Sequence, residues 1–286
     1  MQILCPTDGS AGAAAALDKL IASFEVSGLI VDLLAVVDRR PGHPVATRVP
    51  GGEPEAAEIL ASERARLEQA GIAVQVAVRA GHPAEEIVAF ATANQAELVI
   101  LGSRPAANAG PGFSGGVASK VARYSPSSVL IARDGLPVRS VVLGYDASPD
   151  ADAALSLLSG LPFRAPPRVA VCTAFEVANP FSSGIAPTLR AQVWVSRHED
   201  LVEARGAAEV IADDAAERLR EAGLEATAHA AHGRASEQLT VLAGENGADL
   251  VAVGSRGLSG VERFLLGSTS GELVALAPTS LLVARS

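Results

Sequence analysis

Lysine is almost missing: the 286-residue chain contains Lys19 and Lys120 and no others. No basic run occurs anywhere, and the formal net charge is −9 at pH 7. Nucleic-acid affinity rests heavily on neutralising phosphates with Lys and Arg, so this balance argues against a nucleic-acid binder. Cysteine is nearly as scarce. Cys5 and Cys172 both lie in apolar runs that read as buried strands, where a free thiol behaves as a small hydrophobe. Two such cysteines frame neither a disulfide scaffold nor a zinc site. Aromatic residues make up 3% of the chain, which disfavours an aromatic-lined binding groove. No apolar run approaches the roughly 20 residues needed to span a bilayer, so no membrane association is expected. The start, MQILCPTDGS, lacks the basic flank of a signal peptide, and the expected location is the cytoplasm.

What the chain does have is alanine, valine and leucine, within a hydrophobic fraction of 49% that is ample for a sizeable core. It is also written twice. LCPTDGSAGAAAALDKL (4–20) aligns with VLGYDASPDADAALSLL (142–158), pairing Asp8 with Asp146 and Ser10 with Ser148. GHPAEEIVAFATANQAELVILGSR (81–104) aligns with GRASEQLTVLAGENGADLVAVGSR (233–256), and SPSSVLIAR (125–133) with APTSLLVAR (277–285). The later blocks are offset by more than the first, so the second copy carries an insertion between them. It falls in 175–205, the region that holds Trp194, a residue suited equally to core packing or to contact with a partner or nucleotide. A repeat of about 140 residues is domain-sized, and thus a tandem duplication and not a solenoid. The two domains are expected at 1–134 and 138–286, joined by RDGLPVRS (133–140).

Each copy reads as the same series. Short apolar runs such as QILCPTD and SVVLGYD have the form of buried strands. Alanine-rich helical patterns follow Ser10 and Ser148. Longer helical patterns, 53–70 and about 199–222, end at Gly71 and Gly223, well placed as C-caps. Strict strand–helix alternation with continuously apolar strands predicts an α/β fold: two tandem five-stranded parallel sheets with helices on both faces. The closing strands SSVLIAR and SLLVAR would otherwise leave exposed edges. The expected remedy is intramolecular pairing of the two halves about a pseudo-two-fold axis, with a homodimer of whole chains also conceivable.

The chemistry concentrates after the strand at 248–253. Gly254-x-x-Gly257 is followed, after nine residues, by Gly267-Ser268-Thr269-Ser270. Glycine lets a backbone approach a ligand closely. A helix beginning near Ser268 would turn free N–H groups and partial positive charge toward an anion. Ser268 and Ser270 are candidate hydroxyl donors, Arg256 or Arg263 candidate charges, and Thr269 with Glu272 has capping-box spacing. These residues suit a plain structural loop equally well, because hydroxyls favour any helix start.

The ordered set VVLGYDAS, the helix entry after Gly233, GADLVAVGSRG, G-x-x-G-x(9)-G-S and APTSLLVAR resembles the universal stress protein family, once per half. The resemblance implies a Rossmann-like, adenine nucleotide alpha hydrolase-like fold, and ATP held by the motif in the ATP-binding branch. Gly254, Gly257, Gly267 and Ser268 match the phosphate and ribose segment, and Asp146 the acidic position near the nucleotide. Thr269 and Ser270 are weaker matches. Asp146 is also the candidate Mg²⁺ ligand, together with nucleotide phosphates. The first half departs from the pattern. Pro105 replaces the second glycine and removes an N–H donor, while Gly116, Val117 and Ala118 replace the three hydroxyl residues. One competent site, in the second half, is therefore expected.

Rival patterns are weaker. GPGFSG (110–115) satisfies G-x-G-x-x-G but starts eight residues beyond its strand, unlike a dinucleotide turn. His229 and His232 fall on opposite strand faces with nothing to complete a metal shell. His82 and Arg234 are repeat equivalents ahead of a helix, and Asp38, Arg39 and Arg40 read as a charged loop. No nucleophile–histidine pair or P-loop lysine is legible, so no catalytic residue is assigned. The expected function is an ATP-binding, nucleotide-dependent stress-response or signalling module with at most slow ATP hydrolysis. The alternatives are a slow ATPase or nucleotidyl-transferring enzyme, and a nucleotide-free structural pseudo-dimer.

Overall fold

The structure, a computed structural model, describes residues 1–38, 52–103, 116–176, 187–257 and 266–286, with the backbone alone for 187–198. In the first half the elements run β1 (Gln2–Thr7), α1 (Ala11–Ser23), β2 (Ile30–Val37), α2 (Glu53–Gln69), β3 (Ala73–Ala80), α3 (Pro83–Ala93), β4 (Leu98–Gly102), α4 (Val117–Tyr124) and β5 (Ser128–Ala132). The second half repeats them as β6 (Ser140–Gly144), α5 (Pro149–Gly160), β7 (Arg168–Phe175), α6 (Pro187–Glu221), β8 (Glu225–His232), α7 (Ala235–Glu245), β9 (Leu250–Gly254), α8 (Ser268–Leu276) and β10 (Ser280–Ala284).

The ten strands form one sheet in the order β3-β2-β1-β4-β5-β10-β9-β6-β7-β8. Every pairing is parallel except β5 with β10, which meet antiparallel with Leu130 opposite Leu282. The halves therefore join through their closing strands, as the apolar edges require. Alternate side chains supply two cores. Ile3, Cys5, Leu98 and Ile100 face α1, α2, α5 and α6, while Leu4, Val99 and Leu101 face α3, α4, α7 and α8. Ser10 and Ser148 cap α1 and α5, each hydroxyl accepting the N–H three residues on. Gly71 and Gly223 follow α2 and α6 with φ of 86° and 87°, the left-handed step that closes a helix C-terminus.

The junction has internal symmetry. Arg133 and Arg285 are repeat equivalents, and each reaches into the other half. The Arg133 amide donates to Ser280 Oγ at 3.2 Å, and its Nη2 to Val274 O at 3.0 Å, near the C-terminus of α8. The Arg285 amide donates to Ser128 Oγ at 3.2 Å, and its Nη2 to Ala122 O and Arg123 O at 2.8 Å each, near the end of α4. On the opposite helix layer the Phe24 and Phe163 rings lie 5.4 Å apart. The segment read as a linker is packed. Val138 is buried, and Lys19, fully buried, donates to Leu136 O at 2.8 Å and pairs with Asp134 at 3.0 Å.

Two expectations need correction. Helix α6 begins at Pro187 and not near 199, because no glycine or proline interrupts 188–205 and Pro187 suits a first helical turn. The backbone of Trp194 lies in this helix, and its side chain is outside the described residues. Asp38 is buried with a partner and does not sit as a solvated loop charge. Arg39, Arg40, Pro105, GPGFSG and Arg263 lie outside the described residues. No described helix is long and apolar enough to cross a membrane.

Candidate functional site

In the second half, β6 leads outward to β7 and β8, while β9 and β10 lie on its other side. The switch in strand order thus falls between β6 and β9, where open α/β sheets bind ligands beyond their carboxyl ends. Asp146 stands two residues past β6. Its Oδ1 accepts the Ser148 N–H at 3.0 Å, an Asx turn passing through Ala147 at φ 59°. Its other oxygen faces the loop after β9, where a side chain on Gly257 would place its Cβ 2.6 Å from Asp146 Oδ2. Any side chain at Gly257 would force this carboxylate to turn.

The loop is pinned at both ends. The Ser255 amide donates to Ala284 O at 2.8 Å. The Ser255 carbonyl accepts the Gly267 N–H at 2.8 Å and Ser270 Oγ at 2.7 Å. Gly267 is the N-cap of α8, with no side-chain cap, so the N–H groups of the first turn, from Ser268 onward, have no intrahelical acceptor. Asp146, Gly254, Gly257, Gly267, Ser268 and Thr269 therefore gather at one rim, with Ser268 exposed and Thr269 half-buried. The positive end of a helix dipole thus lies near a carboxylate at this end of the sheet.

Arg256 and Ser270 also lie here, but neither is free. Arg256 pairs with Asp150, Nε to Oδ2 at 3.1 Å and Nη2 to Oδ1 at 3.3 Å. Ser270 is buried, and its hydroxyl closes the turn on the Ser255 and Gly267 carbonyls. The capping box expected between Thr269 and Glu272 does not form. Glu272 reaches across to Arg234 and Ser236 at the start of α7, where a charged partner outcompetes a local amide. Arg234, weighed as a phosphate contact, is held by Glu272 and Glu237. His229 Nε2 lies 3.0 Å from Thr227 Oγ1, His232 packs on the Phe175 ring, and no metal-binding cluster occurs among the described residues.

Sequence reasoning missed Asp150. It is buried at 3% exposure, yet its carboxylate also accepts Ser255 Oγ at 2.6 Å and Ser286 Oγ at 2.7 Å. Burial works to raise its pKa, but Arg256 and the two hydroxyls outweigh this and hold it at about 2. The available signal was the pairing of Gly12 with the acidic Asp150, one of several unlike pairs in the aligned repeat blocks. A neighbouring cluster was missed as well. Tyr145 Oη donates to Asp152 at 2.6 Å, and Arg218 Nη1 meets both, at 2.7 and 2.8 Å. Burial and the bond to Asp152 push the Tyr145 phenol up to about 12.

A folded-state carboxyl pKa below the unfolded value near 3.9 contributes stability above that value and loses it as pH falls toward the folded one. The stability gap between the native chain and Asp150→Asn should thus be constant above about pH 5 and narrow steadily below about pH 4. Urea unfolding at stepped pH measures it, and a gap indifferent to pH would show that the carboxylate charge contributes nothing.

The first half keeps the entry but not the floor. Asp8 Oδ1 accepts the Ser10 N–H at 3.0 Å, with Gly9 at φ 71° in the place of Ala147. Gly12 stands where Asp150 does, and the Ser103 hydroxyl, equivalent to that of Ser255, is buried without a partner among the described residues.

These features define a duplicated α/β protein in which Asp146, Gly257 and the start of α8 come together at the switch point of its second half. The chain belongs to the universal stress protein family, whose family model matches residues 1–133 and again 137–285. Among curated proteins, universal stress protein YxiE of Bacillus subtilis is 35% identical over 75 residues, 26% of this chain and 51% of that protein. The chain thus spans about half the length of the curated relative it matches. A universal stress protein from Archaeoglobus fulgidus superposes with a TM-score of 0.68 at 21% identity, covering 99% of this chain and 98% of that one. A protein from Pseudomonas aeruginosa described as a putative universal stress protein gives 0.62 at 17% identity, covering 99% and 92%. At these identities the likeness shows the fold alone.

Proposed function

We propose that the second half binds an adenine nucleotide, ATP, and that the protein acts as a nucleotide-dependent module in a stress response and not as a fast enzyme. The observation that carries this reading is the meeting of Gly257, packed against Asp146, with the glycine-capped start of α8 at one end of the sheet. The phosphates would lie on the first N–H groups of α8 and the Ser268 and Thr269 hydroxyls. Arg256, being paired, adds little charge there. A triphosphate would then favour a divalent cation, and Asp146 Oδ2, the oxygen not used by Ser148, is the chain's natural ligand for Mg²⁺ among the phosphates. The first half, with Gly12 in place of Asp150, serves mainly to pair with the second.

The test is mass spectrometry of small molecules released on denaturing the purified chain, followed by ATP titration with and without Mg²⁺. About one adenine nucleotide per chain is expected, with binding weakened when Mg²⁺ is chelated. Two per chain would reassign the first half, and neither carried nucleotide nor ATP binding would sink the reading. Gly257→Pro copies the first half's change, removes an N–H and crowds Asp146. It should weaken ATP binding at least about tenfold while the fold is retained.

A further inference from the structure

We infer that Asp150 is the positioning residue that holds the phosphate-facing loop and the α8 N-terminus of the second half in their binding geometry. The inference rests on the nucleotide reading given above for what the geometry serves, but its structural basis is separate. An acidic residue in the first turn of a helix ordinarily faces solvent and favours the helix dipole from there. Asp150 is in the first turn of α5 but does not face solvent. Helix α5 is already capped by Ser148, and the Asp150 carboxylate is turned inward, nine-tenths or more buried. Burying a carboxylate is costly unless it is paired and fully hydrogen-bonded, and here two of the three partners, Ser255 and Arg256, are consecutive residues of the loop, the third being Ser286 beyond β10. Oδ2 accepts Ser255 Oγ and Arg256 Nε, while Oδ1 accepts Arg256 Nη2 and Ser286 Oγ.

The consequence passes through Ser255. Its carbonyl is the common acceptor for the Gly267 amide and the Ser270 hydroxyl, so the first residues of α8 hang from the residue that Asp150 fixes. Arg256 is held on the loop's inner side by the same carboxylate. The loop therefore meets Asp146 with Gly257, and a ligand meets backbone N–H groups in place of a guanidinium. The repeat supplies a natural control. With Gly12 at the matching position, the Ser103 hydroxyl is left buried and unpartnered among the described residues.

The test compares the full-length chain with Asp150→Gly, which copies the first half, and Asp150→Asn, which keeps one acceptor oxygen but not the charge. Two quantities are read: ATP affinity by calorimetric titration, and hydrogen-exchange protection of the Gly267 amide by NMR. Asp150→Gly should bind ATP at least about tenfold more weakly, the scale of a misplaced binding group. It should also lose Gly267 protection while amides of the distant strands β1 and β2 stay protected. Asp150→Asn should fall between, about fivefold weaker, and it carries the test if the glycine variant fails to fold. If the native chain binds ATP and both variants bind it equally well, the positioning role is wrong. If the native chain binds no ATP, the nucleotide reading falls, and unchanged Gly267 protection in the variants would then overturn the positioning role separately.

Discussion

Gly102→Ala should destabilise the chain by about 3 kcal/mol or more, and Gly254→Ala by somewhat less. Both glycines end the strand that borders a switch point, and both face the first turn of the helix crossing from the neighbouring strand. A Cβ on Gly254 would lie 2.6 Å from Asp150 C, 2.7 Å from Ala151 N and 2.8 Å from Asp150 O. A Cβ on Gly102 would fall still deeper, inside the Gly12 carbonyl. These neighbours are backbone atoms, so no rotamer change can relieve the clash, and α1 or α5 would have to lift off its strand. Overpacking a close-packed interior usually costs about 1–3 kcal/mol, and rigid backbone on both sides favours the upper end. Gly206→Ala is the matching control. It lies inside α6 with nothing within 4 Å of the added atom, and should stabilise by up to about 1 kcal/mol. Urea midpoints at constant slope measure all three. Equal effects at Gly102, Gly254 and Gly206 would show that the close helix–strand approach is not a constraint.

The contrast between these glycines explains what could be read from the sequence. The repeat alone placed Gly102 and Gly254 at equivalent strand ends, and apolar runs such as SVVLG and SLLVA identified the strands without ambiguity. The join through β5 and β10 followed from the same logic, since two apolar closing strands have no other cover. At the site, the grouping of Asp146 with Gly257 and Gly267 came from the family resemblance, and the ends of β6 and β9 carry Asp146 and Gly257 close to one another. The directions of Arg256 and Ser270 were not legible. A loop side chain points wherever its best partner lies, and the partner of Arg256 is Asp150, far back in the chain at the start of α5. Glu272 teaches the same point: local spacing suggested a capping box, and Arg234 on the adjacent helix offered a stronger bond. The length of α6 was missed because its first turns lie in the insertion, where the first copy supplies no template.

The other large effect should come from the arginines that cross the junction. Arg285→Ala would strip the donor from the Ala122 and Arg123 carbonyls at the negative end of α4, and Arg133→Ala would do the same to Val274 in α8. Burial lowers the pKa of both guanidinium groups, and for Arg285 the nearby Asp150 offsets part of that while Arg256 adds to it. Each guanidinium is thus kept in a partly desolvated place by the carbonyls it serves. A buried hydrogen bond to a charged group contributes about 1.5–3 kcal/mol and an exposed one less, so Arg285→Ala, which loses one part-buried and one exposed bond, should cost about 2–4 kcal/mol and Arg133→Ala somewhat less. Lysine should restore only part of either loss, because Nη2 alone makes these carbonyl bonds and an ammonium can replace it, but not the planar group that fills the rest of the space. The amide bonds to Ser128 and Ser280 and the β5–β10 ladder remain in both single variants. The double variant removes both guanidinium bridges between α4, α8 and the opposing strands. The ladder and the amide bonds persist there as well, so its unfolding separates into two transitions only if these bridges carry most of the coupling between the halves, and that is the expected result. A single transition at the native midpoint would mean that the strand ladder alone couples the halves. In that case the arginines, for all their reciprocity, would merely occupy the junction.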